Sequence, residues 1–192
     1  MESGKPAPGG APAEPTAVGA PAQAAAQPAA QPTAPPVMPP KIDSAAFARR
    51  RGALQGQVEI ASLARLVSAG VEGRGVLAWQ IEGYVGRDHL QRQREFLRVR
   101  TTYSPWMTCA KCLEPVEVTG LRTDTRFRFA ASEQQAAVED RESEEEEVIA
   151  ASPNLDLAAL VEDEAILALP MAPAHVSCEW VAQAGSEPGG DV

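Results

Sequence analysis

The stretch REFLRVRTTYSPWMTCAKCLEPVEVTGLRTDTRFRFA, residues 94–130, contains two runs in which arginines alternate with residues suited to a core. The first run holds Leu97, Arg98, Val99, Arg100, Thr101 and Tyr103, and the second holds Arg126, Phe127, Arg128 and Phe129, with Arg122 in phase with the other arginines. A period of two predicts strands that bury one face and expose the other. Pro105 should end the first strand, because proline cannot donate a ladder hydrogen bond. Residues 109–115 are therefore predicted to connect two antiparallel strands.

The segments on either side of this stretch predict an α+β fold. RGVLAWQIEGYVG, residues 74–86, alternates in the same way and predicts a further strand. SLARLVSAG, residues 62–70, predicts a short helix that stops at a glycine. NLDLAALVEDEAILALP, residues 154–170, predicts a longer helix that Asn154 or Asp156 can cap. We expect a twisted antiparallel β-sheet of three or more strands, covered by short helices.

The last of these helices carries three consecutive carboxylates, Glu162, Asp163 and Glu164. Its apolar face is supplied by Leu157, Leu160, Val161 and Leu167. An amphipathic helix places its charged residues opposite its apolar stripe. We therefore expect the three carboxylates to lie on the solvent face.

Composition divides the 192 residues into a domain and two tails. Residues 1–40 hold 11 of the 17 prolines and are rich in alanine, so they are predicted to be a disordered tail. Residues 41–180 are predicted to form the domain, with an acidic flexible loop at 131–151. Residues 181–192 are predicted to be a disordered C-terminal tail.

The charge distribution and the number of cysteines limit which kind of protein and which kind of partner the sequence is compatible with. The net charge is −9, but residues 41–130 carry 15 Lys and Arg against 9 Asp and Glu, whereas residues 131–192 carry one against 15. A basic body with an acidic arm suits a polyanionic partner. Three cysteines are too few for a disulfide framework, and the sequence shows neither a secretory signal nor an apolar membrane span. We expect a cytoplasmic protein with reduced thiols.

Two short motifs share one spacing. CAKC places Cys109 and Cys112 two residues apart, and HVSC places His175 and Cys178 likewise. Together they would form a Cys3His site for Zn²⁺. One alternative is a set of packed thiols at a turn with His175 in solvent. Another is a redox pair, which the strand-forming sequence after CAKC disfavours, because redox thiolates of this spacing lie at helix N-termini.

The alternating arginines suggest a second site. Arg98, Arg100, Arg122, Arg126 and Arg128 would lie on one strand face and could bind phosphate, which the arginine fork contacts in a bidentate manner. The alternative is that these arginines pair with the EEEE run inside the same molecule. No phosphate-binding glycine loop and no HExxH motif occurs, and neither His89 nor His175 has the setting of a catalytic triad. We therefore expect no enzymatic activity.

CAKCLEPVEV, the strand after it, LDLAALVEDEAILALPMAP and HVSC together resemble the YceD family, the large ribosomal RNA subunit accumulation proteins. The resemblance covers about residues 55–180 and implies a small non-enzymatic factor for the synthesis, processing or stability of 23S ribosomal RNA. It implies ribosomal RNA, large-subunit precursor particles or a basic ribosomal protein as partners, with no membrane and no small-molecule substrate. It supplies no catalytic residues. The alternatives are a zinc-stapled protein–protein adaptor and a CxxC thiol redox protein.

Overall fold

The computed structural model describes residues 37–143 and 146–178. The two predicted tails therefore lie outside the described residues, apart from 37–40. The elements in chain order are β1 (Lys41–Ile42), α1 (Ser44–Arg49), β2 (Ala53–Glu59), a 3-10 turn (Ile60–Ser62), α2 (Ala64–Ser68), β3 (Val76–Arg87), β4 (Gln93–Tyr103), β5 (Trp106–Thr108), β6 (Pro115–Glu117), β7 (Leu121–Ala130), α3 (Glu133–Asp140), β8 (Glu147–Ala150), β9 (Leu155–Asp156) and α4 (Leu157–Leu167).

Five strands form the main sheet, in the order β2-β3-β4-β7-β8. The pairs β2–β3, β3–β4 and β4–β7 are antiparallel, and β8 runs parallel to β7. A parallel pair needs a crossover connection, and α3 lies in the segment that joins β7 to β8. The α+β class and the sheet covered by short helices are confirmed, and the parallel strand is an addition to the predicted architecture.

The strand register separates the two faces of the sheet. Ile81 pairs with Val99, which pairs with Thr125, and these residues face the core. Phe47 of α1, Leu66 of α2 and Val161 of α4 are buried in the same cluster. Each large apolar side chain removed from water contributes about 1.5–3 kcal/mol. Three helices thus cover one face, as the alternation predicts.

The predicted connection between antiparallel strands is a small hairpin of its own. Strands β5 and β6 pair through Trp106 with Glu117 and Thr108 with Pro115, so residues 109–114 form its loop. Strand β4 ends at Tyr103, ahead of Pro105, as expected. The loop is closed by hydrogen bonds from Cys109 N–H to the Glu114 carbonyl (2.9 Å) and from Leu113 N–H to the Cys109 carbonyl (3.0 Å). Leu113 adopts φ 66°, which turns the chain back toward β6.

The segment 131–151, predicted to be an acidic loop, contains helix α3 and strand β8. Ser132 caps α3 by accepting a hydrogen bond from the Gln135 N–H (3.2 Å). Glu139 of α3 pairs with Arg94 (3.0 Å) and with Arg128, and Glu146 pairs with Arg128 (3.3 Å). Like charges oppose local structure only while they are unpaired, and here strand arginines neutralise two of them. The expectation of a loop without regular structure is therefore wrong for α3 and β8.

The carboxylates of α4 also differ from the expectation. Glu162 and Glu164 are buried, whereas Leu167, assigned to the apolar face, has 73% of its surface exposed. The Glu162 carboxylate accepts hydrogen bonds from the backbone N–H groups of Arg65 (2.7 Å) and Leu66 (3.1 Å) and from the Arg65 guanidinium (3.0 Å). Burial raises the pKa of Glu164, which hydrogen bonds to Thr125. Buried carboxylates are tolerated when donors satisfy them, so helix periodicity alone misplaced them.

Within the described residues, no helix combines the length and the apolar character needed to cross a membrane.

Candidate metal centre and arginine surface

The metal-ligand candidates come from two distant segments. Cys109 and Cys112 lie in the loop of the β5–β6 hairpin, and His175 and Cys178 lie in the segment that follows α4. Two hydrogen bonds join these segments: Ala110 N–H donates to the Pro173 carbonyl (2.7 Å), and the Lys111 ammonium donates to the Cys178 carbonyl (3.0 Å). The structure therefore brings the two predicted half-motifs together.

The four candidate ligand atoms form a small cluster. All of them lie within 4.8 Å of one another. Cys109 Sγ is 3.8 Å from Cys178 Sγ, and Cys112 Sγ is 3.5 Å from His175 Nδ1. A tetrahedral Zn²⁺ with bonds of about 2.3 Å to sulfur and about 2.0–2.1 Å to nitrogen sets these two edges at about 3.8 and 3.6 Å. The Cys3His donor set and the two edge lengths both fit zinc.

The imidazole of His175 is oriented for ligation through Nδ1. Its Nε2 lies 3.1 Å from the Pro115 carbonyl, an acceptor, so Nε2 carries the proton and donates. Nδ1 is then left as the lone-pair nitrogen, and it faces Cys112 Sγ. A hydrogen bond of this kind from the second ring nitrogen is usual for metal-bound histidine, because it selects the tautomer and holds the ring.

The ionisation of the three thiols favours a bound cation. Burial would raise the pKa of Cys109, but backbone N–H groups of Cys112 and Lys111 outweigh it and hold this pKa at about 5. A hydrogen bond with Cys112, burial and the neighbouring Cys109 raise the pKa of Cys178 to about 11. Three adjacent thiols cannot all ionise while their charges repel one another. A bound Zn²⁺ would remove that repulsion and take all three as thiolates.

The outward face of β4 and β7 carries a group of exposed or half-exposed arginines that we call the arginine surface: Arg98, Arg100, Arg122 and Arg126. Arg98 lies directly opposite Arg126 in the ladder, and Arg100 lies opposite Asp124. The Arg98 guanidinium binds both oxygens of Asp124 (2.6 and 2.5 Å), and Arg100 approaches Glu82 at 3.4 Å. Arg122 has neither an ion pair nor a side-chain hydrogen bond to any residue in 37–143 or 146–178. Four arginines thus share a surface with two carboxylates.

Arg128 does not belong to this surface, although its position in the alternation predicted that it would. Arg128 is fully buried, and its guanidinium pairs with Glu139 and Glu146. Helix α3 covers this end of the outward face, where Ala136 packs with Ala130 and Val148. Arg128 is an internal ion-pair partner and is not available to phosphate. The alternative that the strand arginines pair within the molecule therefore holds for this residue.

The alternation of arginines gave no indication of two further residues of this region, Arg51 and Tyr84. Together with Arg98, Arg126 and Glu82 they line a depression of about 530 Å³ at the edge of the arginine surface. Tyr84 stacks on Phe96 with ring centroids 5.1 Å apart and an angle of 9° between the rings. Burial raises the pKa of Tyr84, and the charges of Arg126 and Arg98 act against that shift. Tyr84 lies two residues after Glu82 on β3 and therefore on the same face of the strand. The alternation along β3 could have placed it on the outward face beside the arginines.

Residues 97–190 match the model of the family described as large ribosomal RNA subunit accumulation protein YceD. The match includes most of β4, the hairpin, β7 and α4, and all four candidate metal ligands. Comparison with curated proteins found no match, and comparison with solved structures found none either.

Proposed function

Residues 97–190 belong to the YceD family, and on that premise we propose that the chain is a non-enzymatic factor that supports the accumulation of 23S ribosomal RNA in the cytoplasm. It does so by binding RNA or large-subunit precursor particles. The observation that carries this proposal is the arginine surface, an array of four arginines on one sheet face.

The arginine surface suits a phosphate backbone for two reasons. Arginine presents a planar fork of donors that matches phosphate oxygens. The pairs that now engage Arg98 and Arg100 are partly exposed, and exposed ion pairs contribute only about 0–1 kcal/mol. A phosphate can therefore displace Asp124 or Glu82 from its arginine at small cost. The release of counterions from the nucleic acid would supply much of the binding free energy.

Zinc has a structural role in this proposal. Cys109, Cys112, His175 and Cys178 would bind Zn²⁺ with no open position for a substrate, as in structural sites. The ion would fasten the segment after α4 to the β5–β6 hairpin. Because such a site does not exist in the unfolded chain, zinc binding would add directly to the stability of the folded state.

The thiol redox alternative has less support. A redox thiolate must be reached by its reaction partner, and Cys109, the thiol with the lowered pKa, is fully buried. The CxxC loop leads into strand β6, so no helix N-terminus stabilises either thiolate.

The protein–protein adaptor alternative is favoured by one observation. Leu113 lies in the CxxC loop with 75% of its surface exposed, and Val176 lies between His175 and Cys178 and is fully exposed. Exposed apolar residues on both halves of the centre could contact a ribosomal protein. Leu113→Ser with Val176→Ser would then abolish association with particles, while charge reversal on the arginine surface would not.

The proposal is tested by reversing charge on the arginine surface. Arg98→Glu, Arg122→Glu and Arg126→Glu, combined in the full chain, should abolish co-migration with 50S precursors in a sucrose gradient. In RNA-binding titrations, the slope of log K against log salt should fall by about one unit for each lost phosphate contact. A control carries two charge reversals, Arg49→Glu on α1, which also removes the exposed Arg49–Glu95 pair, and Arg87→Glu at the end of β3, neither of which belongs to the arginine surface. Equal binding and equal salt dependence in the two variants would contradict the proposal.

A further inference from the structure

The depression beside the arginine surface has the lining of a small anionic and aromatic ligand site. Its volume of about 530 Å³ lies within the range of about 300–1,000 Å³ that is usual for ligand sites. Three arginines, Arg51, Arg98 and Arg126, line it with a single carboxylate, Glu82. Tyr84 supplies the aromatic part of the lining. The lining therefore combines a net positive charge with a ring that can stack.

The position of Arg51 is set by two glycines. The Gly83 N–H donates to the Gly52 carbonyl (2.8 Å), which joins the chain after α1 to strand β3. A Cβ at Gly83 would lie 2.7 Å from the Phe47 ring, and one at Gly52 would also overlap that ring. Arg51 itself adopts φ 54°, which reverses the chain between α1 and β2. The close packing of α1 on the sheet thus holds Arg51 at the wall of the depression.

Two of the lining groups have polar atoms without a hydrogen-bond partner among the described residues. The guanidinium of Arg51 forms neither an ion pair nor a hydrogen bond with any residue of the described ranges, and the Tyr84 hydroxyl likewise has no hydrogen-bond partner there. The Tyr84 ring is held by its parallel stack on Phe96. A ring already fixed by stacking loses little conformational entropy when a ligand stacks beside it.

We propose that this depression binds one nucleotide of single-stranded RNA. Tyr84 contacts the unpaired base, and Arg51 and Arg126 contact the phosphates on either side of it. This inference rests on the proposed function, in which the arginine surface binds RNA, and it names the form of RNA that is bound.

The aromatic ring is what selects single-stranded RNA over a duplex. In an A-form duplex the bases are stacked on one another and present no free face to a side chain, so duplex RNA is read by its shape and its backbone. Proteins that bind single strands combine a positive groove with aromatic side chains on which bases stack. Arginines alone would serve either form, whereas Tyr84 within the depression serves only an unpaired base. An acidic peptide would use the arginines and gain nothing from the ring.

The test compares the two forms of RNA by fluorescence anisotropy. Full-length variants are titrated with an unstructured single strand of 12 nucleotides and with its duplex. Tyr84→Leu should weaken single-strand binding about tenfold and change duplex binding by less than about twofold, whereas Arg51→Ala should weaken single-strand binding by a larger factor than duplex binding. Arg122→Ala, on the arginine surface but outside the depression, should weaken both forms by the same factor. Poly-glutamate should displace the single strand only at far higher concentration.

A second measurement uses the unaltered protein, because Tyr84→Leu also removes the stack on Phe96. A single strand that contains 4-thiouridine is photo-crosslinked to the full chain, and mass spectrometry should locate the crosslink at Tyr84 or in residues 51–53. Equal affinity for both RNA forms, crosslinks elsewhere, or equal competition by poly-glutamate overturns this inference. The triple arginine reversal would still test RNA binding in each of those cases. If the unaltered protein binds neither RNA form, both the inference and the proposed function are overturned.

Discussion

At the scale of the residue, the four candidate ligands couple parts of the chain that are far apart. Cys112 Sγ lies 3.5 Å from His175 Nδ1, although the two residues are 63 positions apart. No large apolar side chain of the HVSC motif is buried beside them, since Val176 is fully exposed. The segment that follows α4 is therefore fixed in place by its hydrogen bonds to the CxxC loop and by the Zn²⁺ ion that we propose.

We expect Cys112→Ser to lower the bound zinc from one equivalent to near zero and to reduce the melting temperature. The reason is that structural zinc contributes its binding free energy to folding. Elemental analysis and thermal denaturation, each with and without a chelator, measure the two effects. Val176→Ala lies inside the HVSC motif, between two candidate ligands, but is not a ligand, and it should match the unaltered protein. Retention of zinc by Cys112→Ser, or an unaltered protein without zinc when purified under reducing conditions, would contradict the site.

Asp88 is a buried carboxylate that several hydrogen-bond donors satisfy. Its side chain is fully buried in the turn between β3 and β4, where it accepts hydrogen bonds from the N–H groups of Leu90 and Arg92 (2.9 Å each). The guanidinium groups of Arg92 (2.8 Å) and Arg94 (3.3 Å) also contact it. Burial alone would raise the pKa of Asp88, but these donors outweigh it and hold the pKa well below its usual range.

A lowered folded-state pKa means that ionised Asp88 stabilises the protein above the unfolded pKa of about 3.9, and that this contribution is lost as the pH falls below that value. We expect Asp88→Asn to lower the free energy of unfolding by about 1–3 kcal/mol at pH 7, because buried donors lose a charged acceptor. The difference from the unaltered protein should narrow below about pH 4. Urea unfolding at pH 7, 5 and 3 measures it, with the exposed Glu117→Gln as control. A difference that is the same at pH 3 and pH 7 would contradict this account.

At the scale of the element, strand β7 presents the same residue type in two environments. Arg126 is exposed, whereas Arg128, two residues later on the same face, is fully buried. The change occurs because α3 and β8 cover the end of the strand and bring Glu139 and Glu146 to Arg128. The Nη2 atom of Arg128 is buried and has no hydrogen-bond partner among the residues that the structure describes.

We expect Arg128→Ala to lower the free energy of unfolding by about 3–5 kcal/mol, because it removes the arginine partner of the nearly buried Glu146 and one of the two arginines that pair with Glu139. Arg126→Ala should cost less than about 1 kcal/mol, because its side chain is exposed. Chemical denaturation compares the two variants, and hydrogen exchange should show lost protection in residues 133–140 for Arg128→Ala only. Equal stability of the two variants would show that the acidic segment does not depend on Arg128.

In helix α4, the local sequence predicts the N-terminus correctly but the burial of its carboxylates incorrectly. Its N-terminus follows the sequence, since Asp156 caps it by accepting from the N–H groups of Ala158 and Ala159 (3.1 Å each). Its burial does not, because Glu162 reaches the first N–H groups of α2, where negative charge is favoured. Arg65 and Glu162 are 97 positions apart. The donors that satisfy the buried Glu162 carboxylate lie in α2 and not in the sequence around α4. The local sequence therefore could not predict that this carboxylate is buried.

At the scale of the whole molecule, the domain begins a few residues earlier than composition suggests. The Val37 N–H donates to the Gln57 carbonyl (2.6 Å), and the Trp79 indole donates to the Val37 carbonyl (3.3 Å). Strand β1 then pairs with β9 through Lys41 with Asp156 and Ile42 with Leu155. Residues 37–42 therefore contribute contacts to the fold, although 37–40 share the proline-rich composition of the tail.

We expect deletion of residues 1–36 to leave the melting temperature nearly unchanged, because a sequence so rich in proline and alanine cannot bury a core of its own. Deletion of residues 1–42 should lower it clearly, since it removes the β1–β9 pair and the buried side chain of Ile42. Thermal denaturation of the two truncated proteins measures the difference. A large loss from the shorter deletion would show that the tail stabilises the domain.

The sequence by itself determined strands β3, β4 and β7, the cap of α4 and the two half-motifs of the candidate metal centre. These features depend on residues within a few positions of one another: alternation along β4 and β7, Asp156 ahead of α4, and a shared spacing in CAKC and HVSC. Tertiary structure alone decided which side chains of one phase are exposed and which are buried, because burial is set by segments distant in sequence. Arg126 and Arg128 are indistinguishable by period, and only the helix over one of them separates a surface arginine from an internal one. The depression at Arg51 and Tyr84 was likewise decided by folding, since it forms only where α1 packs against β3.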